Sequence, residues 1–506
     1  MYLAQIFRCT IVIQYTIRQI LTIKKYNIMK RTYIKDLNNF IGKEISISGW
    51  VDIRRDHGKL IFIDFRDMSG KIQAVALPSN KEAHEVANRI RTEWVVRATG
   101  IVNKRPEKMI SKNKETGVIE PNGDIEIELK NIDVLNEAVT PPFDIRSDGK
   151  EVGEETRLKY RYIDLRRHRS QKNIRSRHRI VKHVRDMLDE NGFIEIETPI
   201  LTKSTPDGAR DYVVPSSIEN GLFYALPQSP QQYKQLLMVA GFEKYFQIAR
   251  CFRDEDTRSD RQPEFTQMDL EMSFVDREDV MALNEKMLIE IVTKQFPEKK
   301  IQAIPFPRIT YKDSMDKYKT DRPDIRNDKN DPDLLAFCWV IDFPFFEKTD
   351  EDPLTGRSGC TFTHNPFSAP KPEFMSSLMK QENIGDILTT QYDVVLNGFE
   401  IGGGSIRNHT PAALQKVFEI MGYPKEQIEK NFGHMLHALG SGAPPHGGIA
   451  WGIDRLVTLM NNESSIREVI AFAKTGEGKD LMMDAPSEIS EKQFRELGIE
   501  IKKKHK

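Results

Sequence analysis

Residues 251–274 read CFRDEDTRSDRQPEFTQMDLEMSF, and this segment decides the fold prediction. Its second half, QMDLEMSF, has the pattern of a β-strand, on which Gln267, Asp269 and Glu271 would share one face because successive side chains alternate. One interpretation of so many charges is a solvated sheet edge. An array of arginines and carboxylates also suits a ligand that carries phosphates together with a metal ion. We therefore predict a ligand-binding strand.

A second segment, residues 442–456, reads GAPPHGGIAWGIDRL. Glycine and alanine interrupt its apolar residues, and glycines let a ligand approach the backbone closely. Arg455 begins the helix-like run RLVTLM. At that position its guanidinium could bind a phosphate through two hydrogen bonds. The alternative is a glycine-rich turn whose arginine pairs with a surface acid. The run GGGS at 402–405 lacks the GK[ST] ending of a phosphate-binding loop, so alone it is a weak signal.

The N-terminal part of the chain has the pattern of a small β-barrel. Residues 43–80 alternate apolar and polar positions between the turn signals His57-Gly58 and Ser69-Gly70, and residues 97–105 and 124–135 add two strands. Five short strands in about 100 residues suit a closed barrel such as the OB-fold.

The remainder of the chain reads as a larger domain. The charge-rich stretch around Pro141-Pro142 predicts a hinge, and helices then alternate with strands. The predicted organisation is a leader or wrongly assigned start over 1–28, the barrel over 29–135, the hinge over 136–165, a mixed α+β catalytic domain over 166–485 and a charged C-terminal extension over 486–506.

Length and composition limit the class of protein. With 506 residues, the chain exceeds a single core and predicts two to four domains. Lys+Arg and Asp+Glu balance at 75 each, so the net charge neither indicates nor excludes a nucleic-acid partner. The four cysteines are scattered without a CxxC pair, which favours a cytoplasmic protein over a disulfide framework. No apolar run of about 18 residues occurs, so we expect no membrane span.

The first residues need a separate interpretation. From Met1 to Lys35 there are seven Lys or Arg residues and no acidic residue. Such a start resembles an organellar transit peptide. The alternative, which we favour, is a start codon assigned too early, because Met29 opens an ordinary domain start, MKRTYIKDL.

Three segments together resemble the signature motifs of a known family. FRDED…RQPEF is similar to motif 2 of class II aminoacyl-tRNA synthetases, and GIAWGIDRL is similar to motif 3. GFIEIETPIL resembles motif 1, which in this class lies at the dimer interface and implies a homodimer. TPDGARDYVVPS, ALPQSPQQYKQLLM and NGFEIGGGSIR resemble the aspartate-specific enzymes of bacteria. The resemblance covers roughly residues 30–485.

The resemblance implies a fold and a two-step reaction. The expected fold is α+β, with an N-terminal OB-fold that reads the anticodon and a six-stranded antiparallel catalytic sheet flanked by helices. L-aspartate attacks the α-phosphorus of ATP to give aspartyl-adenylate, and the aspartyl group then passes to the 3′ end of tRNA(Asp). No covalent enzyme nucleophile is needed, so catalysis depends on positioning and on neutralising charge.

The resemblance also assigns the ATP site. Arg253 matches the catalytic arginine between the α-phosphate and the substrate carboxylate, and Arg455 matches the one on the γ-phosphate. Asp393 and Glu400 match the acids that hold Mg²⁺, a hard cation that prefers oxygen ligands. Further positions that match the ATP site are Asp254, Glu255, Gln262, Gly452, Ile453 and Asp454.

For the amino acid, Lys234 and Arg407 match the cations that bind the side-chain carboxylate. Two cations there should reject asparagine, whose amide NH₂ would face unpaired donors. Gln231 and Asp269 match positions around the ammonium group, and His364 matches a mobile loop residue. Asp207 stands in the substrate loop.

Three departures from the family pattern stand out. Asp207 replaces a usual Glu, and Asn365 occupies a position where a second His is common. Bacterial members also carry an inserted domain of about a hundred residues between motifs 2 and 3, a size typical of a small module, and this chain lacks it. We expect aminoacylation to survive that loss.

The barrel carries the residues expected to contact tRNA. Phe62 is placed to stack an anticodon base, with Arg55, Asp56 and Gln73 nearby for base edges, although Phe62 taken alone reads as a core residue. Whether tRNA(Asn) is charged as well stays open. His57, the residue after RRD, is typical of members that charge both tRNAs, whereas Lys108 stands where those members favour a small residue.

Two other functions remain as alternatives. One is an asparagine-specific ligase, which would share the barrel and the class motifs. The other is a synthetase-like RNA-binding protein without catalysis, but such paralogues usually lose a motif arginine or the barrel, and this chain has both. Neither DNA nor a membrane is an expected partner.

Overall fold

A computed structural model describes residues 30–113, 116–204, 209–257, 259–348 and 359–502. The expected leader over 1–28 and the predicted site residue Asp207 lie outside these residues. The chain divides into two compact units, Met1–Asp144 and Ile145–Lys506. Within the described ranges, no helix has the length and apolar character needed to cross a membrane.

The first unit is a closed five-stranded barrel, as the alternating pattern predicts. Its strands pair in the order β1-β2-β3-β5-β4. On β2 the buried residues Ile61, Ile63 and Phe65 alternate with outward-facing neighbours, because strand side chains point to opposite faces. The elements are β1 (Glu44–His57), β2 (Leu60–Asp67), β3 (Gly70–Ala76), helix α1 (Lys81–Arg89), β4 (Val95–Lys104) and β5 (Ile125–Asn136).

Phe62 corrects one expectation. The interpretation of this residue as core is wrong, because it lies on the outer face of β2 between buried neighbours and pairs across to Arg55 on β1. The barrel core is filled instead by other apolar residues, which come from all five strands and from α1.

The second unit is built on an eight-stranded sheet with the order β12-β14-β17-β18-β19-β10-β9-β6. Its six central strands are all antiparallel, as expected, and a short parallel strand extends each edge. The strands are β6 (Ile194–Glu195), β9 (Lys244–Phe252), β10 (Glu264–Ser273), β12 (Arg308–Thr310), β14 (Phe337–Ile341), β17 (Tyr392–Leu396), β18 (Phe399–Ile406) and β19 (His446–Gly452).

Helices cover the sheet and complete the core. The longest, α4, packs with α6 and α11 over the sheet and buries Ile180, Val184 and Leu188. The helices are α2 (Glu154–Lys159), α3 (Arg161–Asp164), α4 (His168–Glu190), α5 (Gln231–Val239), α6 (Arg277–Gln295), α7 (Tyr311–Tyr318), α8 (Met375–Lys380), α9 (Pro411–Ile420), α10 (Lys425–Leu439), α11 (Ile453–Met460) and α12 (Glu491–Leu497). Short strand pairs lie outside the sheet: β7 (Val213–Pro215) with β8 (Phe223–Ala225), β11 (Lys300–Ile301) with β13 (Leu334–Leu335), and β15 (Phe346–Lys348) with β16 (Cys360–Phe362).

The predicted hinge over 136–165 is wrong in its second half. Residues from Ile145 onward belong to the second unit, where α2 and α3 bury Arg157, Arg161 and Asp164. Their charges suggested a solvated linker, but they neutralise one another inside the protein. Arg161 Nη1 lies 2.6 Å from Asp164 Oδ2, and Arg157 Nη2 lies 2.7 Å from Glu468 Oε1.

Candidate active site

A cavity of about 400 Å³ opens over β10, β18 and β19 and gathers most of the predicted site residues. The strands bring together segments that lie far apart in the sequence, because β10 pairs with β19 and β19 pairs with β18. The predicted residues that line it are Gln231, Lys234, Arg253, Glu255, Gln262, Asp269, His364, Asp393, Glu400, Arg407, Gly452, Asp454 and Arg455.

At one end, four buried charges form what we call the pocket cluster: Lys234, Asp269, Glu271 and Arg407. Lys234 Nζ lies 2.9 Å from Asp269 Oδ2 and 3.3 Å from Glu271 Oε2. Arg407 donates from Nε and Nη2 to the two Glu271 oxygens at 2.8 and 3.0 Å. Glu271 therefore holds both cations from behind, since Lys234 and Arg407 line the cavity and Glu271 does not.

The two carboxyl groups of the pocket cluster titrate differently. Burial opposes ionisation of Glu271, but Arg407 and Lys234 outweigh it and lower its pKa to about 2. Among the described residues, Lys234 alone donates a hydrogen bond to the Asp269 carboxylate, and burial raises the pKa of Asp269 to about 6. Glu271 is thus a permanent counter-ion, whereas Asp269 changes charge just below neutrality.

The pocket cluster retains unused hydrogen-bonding capacity. Asp269 Oδ1 and Gln231 Nε2 are buried and have no hydrogen-bond partner among the described residues. Because buried polar atoms are normally paired, a free acceptor and a free donor beside two cations indicate a zwitterionic ligand. A ligand ammonium group would satisfy Asp269, and a ligand carboxylate would satisfy Gln231 and the cations.

The other end of the cavity carries two further arginines. The Arg253 guanidinium lies over the Phe265 ring, 5.1 Å from its centroid. This cation–π contact orients the guanidinium group. Arg455, on α11, donates from Nη1 to the Glu400 carbonyl, and its Nη2 lies 3.5 Å from Asp260. Its buried Nε has no partner in the described part of the chain. Both arginines can donate hydrogen bonds to a phosphate oxygen.

Asp393 and Glu400 face each other between these two ends. A side chain at Gly403 would lie 2.7 Å from Asp393 Oδ1 and 3.6 Å from Glu400 Oε1, so glycine there keeps the gap between the carboxylates open. Burial and the nearby Glu400 charge raise the pKa of Asp393 well above its usual value. The described residues contain no group of three or more metal-type ligands. Two facing carboxylates nevertheless fit Mg²⁺, which is usually held by one or two carboxylates plus phosphates.

Several predicted residues make contacts that hold the site together. Gln262 donates to the Lys474 carbonyl at 3.2 Å and accepts from its backbone N–H at 2.8 Å. Asp454 accepts from the Thr266 N–H at 3.0 Å and pairs with Arg177, which ties α11 to β10 and α4. Ile453 is core, and Asp254 pairs with Arg210 at 3.2 Å without lining the cavity.

His364 lies at the cavity wall. Its ring packs edge-on against Phe343, and Nε2 stands 3.9 Å from Asp393 Oδ2. Burial lowers the pKa of His364 despite the nearby carboxylates, so its ring is neutral near pH 7.

On the barrel, the outer face brings together most of the predicted tRNA contacts. Arg55 donates to both Asp64 oxygens at 2.8 Å and to Gln73 Oε1 at 3.2 Å. His57 packs edge-on against Phe62 with ring centroids 5.5 Å apart. This face therefore offers an aromatic pair, the exposed His57 and the half-buried Phe62, beside hydrogen-bonding groups.

Two predicted contacts stand apart from that face. Asp56 accepts a hydrogen bond from Arg54 Nη1 at 2.9 Å. Arg54 in turn donates from Nε to the Ala87 carbonyl of α1. Lys108 lies in a separate exposed turn over Glu107–Met109.

The sequence interpretation missed Glu271 as a site residue. The strand pattern had placed it on the same face as Asp269, which was the available signal. Its role depends on Gly448, its partner on β19, where a side chain would meet Glu271 Oε2 at 2.2 Å. Phe265, which orients Arg253, carried no separate signal.

Comparison with known proteins agrees with both units. The family described as tRNA synthetases class II (D, K and N) matches residues 153–476, and the OB-fold nucleic acid binding domain matches residues 45–135. The aspartate–tRNA(Asp/Asn) ligase of Natranaerobius thermophilus is 41% identical over 94% of this chain and 100% of its own length. The aspartate–tRNA ligase of Staphylococcus aureus is 38% identical over 92% of this chain and 97% of its own length.

The alignment with the Natranaerobius relative spans 606 positions, whereas the whole chain has 506 residues, so at least 100 positions have no counterpart here. The expectation that this chain lacks a domain present in bacterial relatives agrees with that difference.

Among solved structures, the asparaginyl-tRNA synthetase from Pyrococcus horikoshii complexed with asparaginyl-adenylate has a TM-score of 0.70 at 21% identity, over 88% of this chain and 98% of that chain. At this identity the likeness concerns the fold. The matched families, the relatives and the shared architecture together identify this chain as a member of the class II tRNA synthetases (D, K and N).

Proposed function

We propose that this chain is an aspartate–tRNA ligase, which activates L-aspartate with ATP and transfers it to the 3′ end of tRNA(Asp). The observation that carries the proposal is the pocket cluster. Lys234 and Arg407 present two cations to a cavity that continues to the phosphate-binding arginines Arg253 and Arg455. Relatives with this printed activity cover nearly the whole chain.

In the proposed complex, the β-carboxylate of aspartate lies against Lys234 and Arg407. Its ammonium group lies against Asp269 Oδ1, and its α-carboxylate reaches toward Gln231 and Arg253. The α-carboxylate oxygen attacks the α-phosphorus of ATP, and pyrophosphate leaves. Arg253 stabilises the charge that develops at the α-phosphate, and Arg455 binds the departing end, as preorganised donors do in a water-poor site.

Mg²⁺ would be held by Asp393 and Glu400 together with phosphate oxygens. When bound, it neutralises phosphate charge during the attack. The pair of carboxylates on this chain fits that role, since both face the space between the amino-acid end and the arginines.

Asparagine fits the pocket cluster less well. Its side-chain NH₂ would face the donors of Lys234 or Arg407, which leaves buried donors unpaired and costs affinity. The non-catalytic alternative is disfavoured because Arg253, Arg455 and the barrel are all present.

We also propose that the barrel face accepts tRNA(Asn). GUC and GUU anticodons differ in the last base alone, and one mismatched base contact changes affinity by roughly 1–3 kcal/mol in nucleic-acid readers. His57 packs on Phe62 within the exposed face, whereas Lys108 lies in a separate turn. This placement favours His57, which is typical of members that charge both tRNAs, over Lys108 as the guide to tRNA choice.

The proposed assembly is a homodimer formed through the motif 1 segment. Ile194, Ile200 and Leu201 of that segment are 47%, 40% and 53% exposed in the single chain. Three exposed aliphatic residues in one short segment suit burial against a second copy. The free cysteines Cys251, Cys338 and Cys360 suit a reducing cytoplasm.

Aminoacylation of purified tRNA(Asp) and tRNA(Asn) transcripts tests the proposal. We expect aspartate to be attached to both, with a preference for tRNA(Asp) of less than about a hundredfold, which is the range of one base contact. Charging of tRNA(Asp) alone would refute the proposal that tRNA(Asn) is also accepted. Charging of neither would refute the ligase.

A further inference from the structure

A second cavity of about 220 Å³ lies on the opposite face of α5 from the pocket cluster. Helix α5 presents Gln231 and Lys234 to the large cavity, whereas Gln232, Tyr233 and Leu236 line the second one. A helix turns 100° per residue, so these two sets of positions point in roughly opposite directions. Among the described residues, Ser229 alone, just before the helix, lines both cavities. The proposed aspartate activation leaves this second cavity without a role.

The walls of the second cavity, as far as the structure describes them, carry hydrogen-bond donors and no acid. Lys203 supplies a cation, and none of the described lining residues is Asp or Glu. Burial, with the nearby Lys203 charge, lowers the pKa of His434, so its ring is neutral near pH 7. Leu236 and the Tyr233 ring supply apolar surface.

One buried donor in this cavity has no partner. Gln232 is 8% exposed, and its Oε1 lies 2.6 Å from His434 Nε2. Its Nε2 finds no hydrogen-bond partner among the described residues. Lys203 Nζ donates to the Lys430 carbonyl at 2.6 Å, which leaves two of its three N–H groups for a ligand. A buried amide donor is stable only when something accepts from it.

We propose that the second cavity binds a small organic carboxylate with a short apolar body and no amino group. The carboxylate accepts from Gln232 Nε2 and Lys203 Nζ, and the body packs on Leu236 and Tyr233. An amino acid fits poorly, because none of the described lining residues is an acid that could receive its ammonium group, unlike Asp269 in the pocket cluster. At roughly 30 Å³ per water the volume equals about seven waters, which suits a molecule of about ten non-hydrogen atoms.

Benzoate is a suitable probe, with benzamide as its neutral analogue. Binding is measured by isothermal titration on the full chain in saturating L-aspartate, so that the pocket cluster is already occupied. We expect saturable binding of benzoate and at least about tenfold weaker binding of benzamide, because a charged acceptor strengthens the hydrogen bonds.

Variants locate the site. Leu236→Trp fills the cavity and Lys203→Met removes its cation, so each should weaken benzoate by at least about tenfold. Lys425→Met, on the exposed start of α10, is the matched control and should leave binding unchanged. Thermal melting confirms that each variant folds.

Three results would overturn the proposal: no saturable benzoate binding in the presence of saturating aspartate, equal binding of benzamide, or unchanged binding in both Lys203→Met and a folded Leu236→Trp. None of these measurements involves adenylate formation, so they leave the proposed ligase activity untouched.

Discussion

Two buried charge clusters lie in the second unit, and they differ in what they leave unpaired. The pocket cluster has Asp269 Oδ1 without a hydrogen-bond partner among the described residues and borders a cavity. The second, which we call the anchoring cluster, comprises Arg157, Arg161, Asp164, Arg167 and Glu468. Both are almost fully buried, so burial of charge alone does not identify a ligand site.

The side chains of the anchoring cluster bond to one another and to surrounding protein groups. Asp164 accepts from Arg161 at 2.6 Å and from Arg167 at 2.9 Å. The remaining donors of Arg161 go to the carbonyls of Arg467, Ile470 and Ala471 at 2.9 to 3.1 Å. None of the five lines either cavity. The comparison shows that unused hydrogen-bonding capacity facing a cavity separates a binding site from a structural ion network.

The largest effect should come from breaking the anchoring cluster. Asp164→Ala removes the buried carboxylate that Arg161 and Arg167 share and should destabilise the second unit by about 3–5 kcal/mol. Equilibrium urea unfolding, followed by circular dichroism, measures it. The control is Asp186→Ala, which removes an exposed partner of Lys182 and should cost less than about 1 kcal/mol. Equal losses of unfolding free energy in the two variants would contradict the structural role assigned to the anchoring cluster.

At the phosphate end, Arg253→Lys or Arg455→Ala should lower aspartate-dependent pyrophosphate exchange at least about a hundredfold, the scale of one lost transition-state partner. Stability should change little, because neither arginine is part of a closed ion network. Arg250→Lys on β9 is a matched control, since Arg250 pairs with Glu264 and does not line the cavity. Near-normal exchange in both active-site variants would remove these arginines from the mechanism.

Within the pocket cluster, Lys234→Met should raise the KM for aspartate at least about tenfold, because a buried charge partner is lost. The KM for ATP should stay within about twofold, a change typical of residues that do not contact the ligand. Steady-state pyrophosphate exchange with each substrate varied separately gives both constants. An unchanged aspartate KM would show that Lys234 does not contact the substrate.

The pH dependence of aspartate binding should report Asp269. Its pKa of about 6 means that the carboxylate is ionised at pH 7 and mostly protonated at pH 5. Protonation removes the partner of the substrate ammonium, so the aspartate KM should rise about tenfold from pH 7 to pH 5. Glu271 stays ionised throughout, because its pKa is about 2. Asp269→Asn should abolish the dependence, and a flat profile in the unchanged chain would contradict it.

Much of this arrangement could be predicted from the sequence. Alternation predicted the barrel strands, and the spacing of residues 267, 269 and 271 predicted one charged face on β10. The hinge prediction was wrong at Arg157 and Asp164. A charged residue in a sequence suggests exposure to solvent unless its distant ion-pair partner, here Glu468, is known. The interpretation of Phe62 alone as a core residue was wrong for the opposite reason, since an aromatic residue suggests core although strand alternation places this one outside.

The contacts that define the pocket cluster could not be predicted, because they join residues on α5, β10 and the end of β18. The pairing of Glu271 with Arg407 spans 136 positions of sequence. The register of the sheet, which sets Glu271 opposite Gly448, brings Glu271 and Arg407 together.

The most direct test of the account is amino-acid-dependent pyrophosphate exchange with L-aspartate and with L-asparagine on the full chain. Lys234 and Arg407 present donors alone to the ligand side chain, so we predict exchange with aspartate at least about a hundredfold more efficient than with asparagine. Equal exchange with both amino acids, or a preference for asparagine, would contradict the assignment of the pocket cluster.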